Sequence, residues 1–252
     1  MKHKTAIITG GGGGIGLAIL RRFIKDGYSV ALFDKNEEAL SHVLDDYSRI
    51  GASLRCFHID IRDREAAEKA LKETEESLGF PAILVNNAGI GGPFKELPDL
   101  TPEEWEEVLD VKIKGPFNFL RILLPGMARK KFGRVINIAS LYGIRGGALS
   151  SAYIAANHAL VGLTRSVAAE WGPRGITSNA VCPGYIDTAM GVEKGPRSDY
   201  ANRVQERTPV RRLGSPEEIA DMVSFLAREK SGYINGGTFS VDGGLAVDMG
   251  IV

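Results

Sequence analysis

Short apolar runs alternate along this chain with longer segments in which apolar residues recur every three or four positions. The apolar runs lie at 5–9, 28–33, 54–59, 82–85, 133–140 and 175–181. Such runs are typical of parallel strands buried on both faces, and the segments between them are typical of amphipathic helices. A chain of 252 residues allows one large α/β domain or two small ones. Because no linker rich in proline, glycine or serine divides it, we expect a single domain over residues 1–252.

A glycine-rich loop follows the first predicted strand and leads directly into a helical pattern. Glycines let the backbone approach a pyrophosphate closely, and the N–H groups and dipole at a helix N-terminus then hold its charge. With the next strand at 28–33, the segment completes a βαβ unit, which disfavours the alternative of a merely flexible turn. The residues predicted to bind a dinucleotide here are Gly10, Gly14, Ile15 and Gly16.

Asp34 ends the second predicted strand. An acidic side chain at this place accepts hydrogen bonds from the adenosine ribose 2′-hydroxyl and repels a 2′-phosphate, so NAD is predicted as the cofactor in preference to NADP. The neighbouring Lys35 would weaken that preference. The alternative role for Asp34 is a helix cap, although Asn36 is better placed to cap the next helix.

A serine, a tyrosine and an asparagine form a candidate site near the middle of the chain. Ser140 comes at the C-terminal end of the run 133–140, where ligands bind in parallel sheets. From Ser151 the pattern is helical, and Tyr153 and Asn157 share one helix face because they are four residues apart. A phenol and an amide are therefore expected to face the space beside Ser140. Taken alone, these residues would be ordinary strand-end and helix residues.

Lys112 lies on the apolar face of another predicted helix. That helix begins at a capping box formed by Thr101 and Glu104, and its apolar face carries Trp105 and Val108 together with Lys112. A buried ammonium without a partner shifts its pKa or extends towards water. Its position therefore calls for a structural or functional reason.

The composition of the chain indicates where in the cell the protein works and which classes of partner it does not bind. Lys+Arg and Asp+Glu both number 31, so no overall field attracts nucleic acid or an anionic membrane. No segment approaches the roughly 18 apolar residues of a membrane span, and the apolar start of the chain is too short for a signal peptide. Cys56 and Cys182 are far apart and lack metal-ligand spacing. We expect a cytoplasmic protein that binds no metal, nucleic acid or membrane.

Several motifs together resemble the short-chain dehydrogenase/reductase family. Ser140 followed thirteen residues later by Tyr153 resembles the family's catalytic core, the loop 9–16 resembles its dinucleotide fingerprint, and Asn-Asn-Ala-Gly at 86–89 resembles a further signature. The resemblance spans residues 5–244. It implies a doubly wound, mostly parallel sheet of about seven strands with helices on both faces, a Rossmann-type α/β fold.

The resemblance also implies a reaction. Hydride would pass reversibly between NAD and a secondary alcohol or ketone, with Ser140 bonded to the substrate oxygen and Tyr153 acting as general acid in reduction and general base in oxidation. It implies a homotetramer, with a dimer as the next possibility, assembled through the helix of Tyr153 and the last strand. The substrate stays open among polyols, sugars, hydroxy acids and acyl-carrier β-ketoesters.

Further cofactor contacts are implied by motif position alone. They are Asp60 at the adenine, Asn87, Ala88 and Gly89 along the cleft, Tyr153 and Asn157 beside the nicotinamide, Pro183 and Gly184 at a turn, and Ile186 and Thr188 at the nicotinamide carboxamide. The segment at about 185–212, which lacks clean periodicity, is expected to form a substrate lid.

The chain departs from the family pattern at two positions. The family carries lysine where this chain has Asn157, and asparagine where it has Lys112. A tyrosine with the usual pKa of about 10 is a poor base at neutral pH, and the missing lysine normally stabilises its phenolate. We hypothesise that Lys112 supplies this charge and that Asn157 bonds the nicotinamide ribose or a water. The alternatives are a dinucleotide-binding pseudoenzyme and an engineered inactive variant, in which Asn157 has abolished catalysis.

Overall fold

A parallel sheet of seven strands forms the centre of the computed structural model, which describes residues 5–48, 51–188 and 197–247. The strands lie side by side in the order β3-β2-β1-β4-β5-β6-β7, and every neighbouring pair is parallel. The doubly wound fold expected from the sequence is confirmed. The strands are β1 Thr5–Thr9, β2 Ser29–Asp34, β3 Leu54–His58, β4 Ile83–Asn86, β5 Gly133–Ile138, β6 Ile176–Pro183 and β7 Thr238–Val241.

Helices cover both faces of this sheet. They are α1 Gly14–Lys25, α2 Glu37–Ser48, α3 Arg64–Leu78, α4 Pro102–Leu109, α5 Gly115–Lys130, α6 Ser151–Trp171, α7 Arg197–Arg207 and α8 Pro216–Ala227. The predicted capping box is present at the start of α4, and a second one opens α8. These reciprocal bonds satisfy N–H groups that the first helical turn leaves without partners.

Alternate residues of the strands supply two separate cores. On β2, Leu32 points into a cluster shared with Phe23 of α1 and Val223 of α8, whereas Phe33 points to the opposite face. There the ring of Phe33 meets that of Phe119 on α5 edge-on, with ring centroids 5.3 Å apart. Because successive side chains of a strand point to opposite faces, one apolar run fills both cores.

The strand order reverses at the boundary between β1 and β4. The chain first builds outward from β1 to β3 and then returns to place β4 on the other side of β1. In open parallel sheets, such a reversal leaves a crevice beyond the carboxyl ends of the two strands, where ligands bind. The glycine-rich loop and the Asn-Asn-Ala-Gly segment both lie at this crevice.

Two local features differ from the sequence-based expectation. The helix that carries Lys112 is α-helical only to Leu109 and continues as a π-helical turn over Asp110–Lys114. The segment at about 185–212, expected to form a substrate lid, contains the helix α7, which its lack of clean periodicity did not indicate, while its residues 189–196 lie outside the described residues. Helix α7 is rich in charged and polar side chains, so its sequence lacks the apolar stripe by which helices are recognised.

Candidate active site

The glycine-rich loop packs tightly between β1 and the end of β4. Gly10 has a φ angle of +65°, and a Cβ atom on it would lie 2.7 Å from the Ala88 Cα atom. A Cβ atom on Gly16 would lie 2.2 Å from the Gly10 carbonyl oxygen. Helix α1 then begins after Gly13 with no side-chain cap. The loop therefore forms a cradle with room for backbone only, and the N-terminus of α1 faces it.

Asn87 and Ala88 fix this cradle to the sheet. The Thr9 hydroxyl accepts hydrogen bonds from the backbone N–H groups of Asn87 and Ala88, both at 3.1 Å. The Asn87 side-chain amide donates to the carbonyl oxygens of Thr9 and Gly10, at 3.1 and 2.7 Å. The structure thus brings the glycine loop and the Asn-Asn-Ala-Gly segment together at the ends of the neighbouring strands β1 and β4.

Asp34 lies beneath the outer part of the loop. Its carboxylate accepts a hydrogen bond from the Gly12 N–H at 2.8 Å and another from the Asn36 N–H at 3.0 Å. Asn36 caps α2 by accepting from the Ala39 N–H at 3.0 Å, as the sequence favoured. The carboxylate of Asp34 is therefore held beside the glycine loop, at the place where an adenosine ribose would lie in a fold of this kind.

Asp60 follows β3 on the same side of the crevice and is paired with Arg62. The Arg62 guanidinium donates to both carboxylate oxygens, with nitrogen–oxygen distances between 2.5 and 3.0 Å. These hydrogen bonds lower the pKa of Asp60. Sequence reasoning missed this pair, although an acid and an arginine two residues apart after a strand could have indicated it. Asp60 thus stands at the edge of the crevice as an ionised carboxylate already paired with a cation.

Ser140 and Tyr153 meet at the end of β5. The Ser140 hydroxyl accepts a hydrogen bond from the Tyr142 N–H at 3.2 Å and begins a short helical turn over Leu141–Gly143. Tyr153 lies in the first turn of α6. Burial raises the pKa of the Tyr153 hydroxyl, and hydrogen bonding with the side chains of Ser140 and Asn157 opposes that shift. The three side chains predicted to share one space therefore do so.

Asn157 is completely buried one helical turn beyond Tyr153. Its Nδ2 atom donates to the Tyr153 carbonyl oxygen at 2.8 Å, while its Oδ1 atom has no hydrogen-bond partner among the described residues. Leaving a buried acceptor unpaired costs about 1–3 kcal/mol. The oxygen of Asn157 therefore marks a place where a water or a ligand hydroxyl would be stabilised.

Lys112 lies inside the protein, with 4% of its surface exposed. From the π-helical turn, its ammonium donates to the Ile138 carbonyl oxygen at 3.0 Å, two residues before Ser140. A Cβ atom on Gly89 would lie 2.7 Å from the Lys112 Nζ atom, so this glycine gives the lysine its room. Burial lowers the pKa of Lys112 to about 8. A π-helical turn is often found at a functional site, and nothing in the sequence signalled it.

Cys182 lies next to both Lys112 and the hydroxyl pair. Burial raises the pKa of Cys182 to about 11, while the backbone of Ser140 and the Lys112 ammonium both act to lower it. The same thiol acts to raise the pKa of Tyr153. Lys112, Ser140 and Tyr153 thus share one buried neighbour. Sequence reasoning did not place this cysteine in the site, and its position just before Pro183 and Gly184 was the only signal that could have.

The end of β6 closes the crevice from the other side. The strand continues through Pro183, two residues further than the apolar pattern suggested. Gly184 follows it, and Ile186 is buried and bridged to Gly214. A Cβ atom on Gly14 would lie 3.3 Å from the Thr188 Cγ2 atom, so Thr188 lies against the glycine loop. The segment that contains Ile186 and Thr188 therefore reaches from the end of β6 to the cradle.

Two further tyrosines stand beside Tyr153. The Tyr142 ring meets the Tyr153 ring edge-on, with centroids 6.2 Å apart and planes at 90°. The Tyr142 hydroxyl lies 3.4 Å from that of Tyr185, which follows β6. Burial and the contact with Tyr185 raise the pKa of Tyr142 to about 12. The tyrosines join the loops that follow two neighbouring strands.

Sequence reasoning also missed a buried polar network behind the site. The Asn86 amide donates to Asn137 Oδ1 at 2.7 Å, and the Asn137 amide donates to the Thr164 hydroxyl at 2.8 Å. Asn86 and Asn137 are direct register partners on β4 and β5. Their network ties the two central strands to α6, the helix that carries Tyr153.

The described residues hold no group of three or more histidine, cysteine, aspartate or glutamate side chains able to bind a metal ion. Within the same ranges, no helix has the length and apolar character needed to cross a membrane. Cys56 and Cys182 are both free thiols.

Comparison with known proteins gives full-length matches. The family model described as "Enoyl-(Acyl carrier protein) reductase" matches residues 11–246. Nodulation protein G of Azospirillum brasilense is 36% identical over 97% of this chain and 99% of its own. Acetoacetyl-CoA reductase of Rhizobium meliloti (strain 1021) is 38% identical over 96% of this chain and 98% of its own. The solved structure of a variant of actinorhodin polyketide ketoreductase with NADPH superposes with a TM-score of 0.91 at 31% identity, over 98% of both chains.

Proposed function

Because this chain belongs to the short-chain dehydrogenase/reductase family, we propose that it is an NAD(H)-dependent oxidoreductase that interconverts a secondary alcohol and a ketone. One observation carries this proposal: the side chains of Ser140 and Tyr153 interact at the carboxyl edge of the sheet that also holds the glycine cradle. The cradle suits a dinucleotide because Gly10 and Gly16 let the loop pack closely on the protein backbone beside the N-terminus of α1, where N–H groups can hold a pyrophosphate. Bound NAD would accept a hydride from the alcohol carbon or return one to the ketone carbon.

The hydroxyls of Ser140 and Tyr153 hold the substrate oxygen and move its proton. Because burial raises the pKa of Tyr153, this side chain is protonated at neutral pH. A protonated phenol is the form that a general acid needs when a ketone is reduced. In the oxidation direction the same oxygen must become a phenolate, so a nearby positive charge is required.

We assign that charge to Lys112. Its buried ammonium lies under the strand end that leads to Ser140, and it shares the neighbour Cys182 with Tyr153. At an effective dielectric constant near 20, an ammonium has to come within about 5 Å of the phenolate to contribute roughly 3 kcal/mol, or about two pKa units. Asn157 would orient Tyr153 from below, and its unpaired Oδ1 would accept from the nicotinamide ribose or from a water.

We propose NAD rather than NADP because of Asp34. Its carboxylate is fixed beside the glycine loop by Gly12 and Asn36, so it would repel a 2′-phosphate. The superposing ketoreductase structure contains NADPH, so the choice between the two cofactors depends on side chains such as Asp34 and not on the fold. The remaining contacts proposed from motif position are those at Asp60, Asn87, Ala88, Gly89, Pro183, Gly184, Ile186 and Thr188.

The wider setting of the protein is also a proposal. Lys+Arg and Asp+Glu balance at 31 each, which favours a small-molecule partner in the cytoplasm over nucleic acid or a membrane surface. A homotetramer is proposed from the family, and sedimentation at micromolar concentration tests it. A single species of 27.1 kDa would contradict it.

Turnover with both cofactors over a panel of alcohols and ketones tests the proposed function. The expected result is hydride transfer with NAD(H) that Tyr153→Phe lowers by at least about a hundredfold, since this change removes the proton donor. Tyr233→Phe is the matched control because the Tyr233 side chain is fully exposed. If NAD(H) binds but no alcohol or ketone reacts, the chain is instead a dinucleotide-binding pseudoenzyme.

A further inference from the structure

Tyr142 and Tyr185 place two phenol hydroxyls next to the proposed reaction centre. Tyr142 comes two residues after Ser140, and its ring stands edge-on against the ring of Tyr153. Tyr185 comes two residues after the end of β6, which is the sheet neighbour of β5. Both tyrosines are half-buried.

The Tyr142 ring is held in place from several sides. Its backbone N–H is bonded to the Ser140 hydroxyl, and its ring lies against the backbone of Gly147. A Cβ atom on Gly147 would lie 2.6 Å from the Tyr142 Cε1 atom and 3.2 Å from its hydroxyl oxygen. Such a ring loses little conformational entropy when it binds a ligand, which is the condition for a specific contact.

Tyr185 is anchored through its backbone. Its carbonyl oxygen accepts a hydrogen bond from the Gly214 N–H at 3.0 Å, and the following Ile186 is bridged to Gly214. The fold therefore holds the Tyr142 ring and the Tyr185 backbone so that the two hydroxyls meet, although the loops that carry them are far apart in sequence.

The contact between the two hydroxyls is weak. Their oxygens lie 3.4 Å apart, whereas a strong O–H···O hydrogen bond measures about 2.7–2.8 Å. A substrate oxygen that bonds to the Tyr142 hydroxyl therefore has only a weak contact with Tyr185 to replace. Since the pKa of Tyr142 is raised to about 12, its hydroxyl stays a neutral donor over the whole working range of pH.

We propose that Tyr142 and Tyr185 form a binding site for a second, uncharged oxygen of the substrate, carried close to the reacting carbon. The edge-on contact of the Tyr142 ring with the Tyr153 ring keeps the Tyr142 phenol beside the alcohol or ketone held by Ser140 and Tyr153, so the second oxygen belongs on a carbon near the reacting one. The substrate class is therefore that of hydroxyketones, diketones and polyols. A carboxylate group of a substrate would be bound more strongly by a charged side chain than by two neutral phenols, so we expect the second oxygen to be uncharged. This inference rests on the proposed function and narrows its substrate.

A pair of ketones that differ in one oxygen tests the inference. Butanone and acetoin have the same carbon chain, and acetoin adds a hydroxyl on the carbon next to the carbonyl. We expect kcat/KM to favour acetoin by about tenfold or more, because neutral hydrogen bonds give factors of this order. Tyr142→Phe and Tyr185→Phe should each lower kcat/KM for acetoin roughly three- to tenfold and leave that for butanone within about twofold.

Two glycine variants supply a matched control. Gly147→Ala pushes on the Tyr142 ring and should reduce the preference for acetoin, whereas Gly146→Ala should not, because a Cβ atom there meets nothing within 4 Å. In the double variant of both tyrosines, the two losses should not add, since both hydroxyls serve one oxygen.

Two outcomes would overturn this inference and leave the proposed function standing. One is a wild-type enzyme that reduces butanone and acetoin with equal kcat/KM. The other is an equal loss on both substrates in the tyrosine variants, which would make the pair a structural brace. Absence of turnover on every ketone with both cofactors would instead overturn the proposed function, and this inference with it.

Discussion

Replacing Lys112 by methionine should stabilise the fold at neutral pH. Methionine has a similar length and no charge, so it removes the cost of burying an ammonium. The folded state lowers the pKa of Lys112 from 10.5 to about 8, a difference of about 2.5 units. At 1.36 kcal/mol per unit, the buried charge costs about 3 kcal/mol of unfolding free energy.

The sign and the pH window of this effect follow from proton binding. Between about pH 8 and pH 10.5 the unfolded chain keeps the proton on Lys112 while the folded chain has lost it. The unfolded state then binds more protons, so the stability of the wild type rises with pH across this window. Below about pH 8 both states are protonated and the cost is constant. The advantage of Lys112→Met should therefore be largest near neutral pH and fall by about 3 kcal/mol towards pH 10.5.

Urea unfolding of both proteins at fixed protein concentration, from neutral pH to above pH 10, measures this difference. Other titrating groups cancel because they are common to both proteins. Lys114→Met is the control, since Lys114 lies on the same π-helical turn but is exposed. A free-energy difference between wild type and Lys112→Met that is independent of pH would refute the reasoning, whatever its absolute size.

Three further predictions concern catalysis and cofactor choice. Gly89→Ala should displace the Lys112 ammonium, lower turnover in the oxidation direction and move the acidic limb of its pH–rate profile to higher pH, because the phenolate then forms less readily. Gly91→Ala, where a Cβ atom meets nothing within 4 Å, should change neither. The double variant Lys112→Asn with Asn157→Lys restores the family arrangement and should retain or raise turnover. A complete loss of turnover in a double variant that still binds NAD(H) would count against the proposal that Lys112 replaces the family's lysine. Asp34→Ala should narrow the preference for NAD(H) over NADP(H) by about 1–3 kcal/mol in titrations of both cofactors, and wild-type affinities that are already equal would remove the role given to Asp34.

Much of the fold could be predicted because its strands are buried on both faces. The run around Leu32 and Phe33 is apolar throughout since one side chain fills each core, and such runs are visible in a single sequence. Helix α7 was missed for the opposite reason, because its polar sequence carries no apolar stripe. The π-helical turn was missed because it adds one residue to a turn without any change in composition.

The placement of the candidate site residues could be predicted as far as it depends on their position in the chain. Ser140, Tyr153 and Asn157 lie together as expected. The end of β5 determines the position of Ser140, and the four-residue spacing places Tyr153 and Asn157 on one face of α6. The sequence did indicate that Lys112 would be buried, but not that its ammonium would bond to the Ile138 carbonyl and approach Cys182. Contacts of this kind depend on rotamers and on the register between distant elements, which periodicity does not encode.

The most direct test of the central claim follows deuterium from the cofactor to the product. Wild-type protein, cofactor deuterated at the transferable position and a ketone substrate are incubated together, and the alcohol is analysed by mass spectrometry. The account predicts one deuterium on the carbinol carbon, donated by NAD(H) more efficiently than by NADP(H), and a large loss of product in Tyr153→Phe. Alcohol without deuterium, or no alcohol although the cofactor is bound, would contradict the claim that Ser140 and Tyr153 serve hydride transfer.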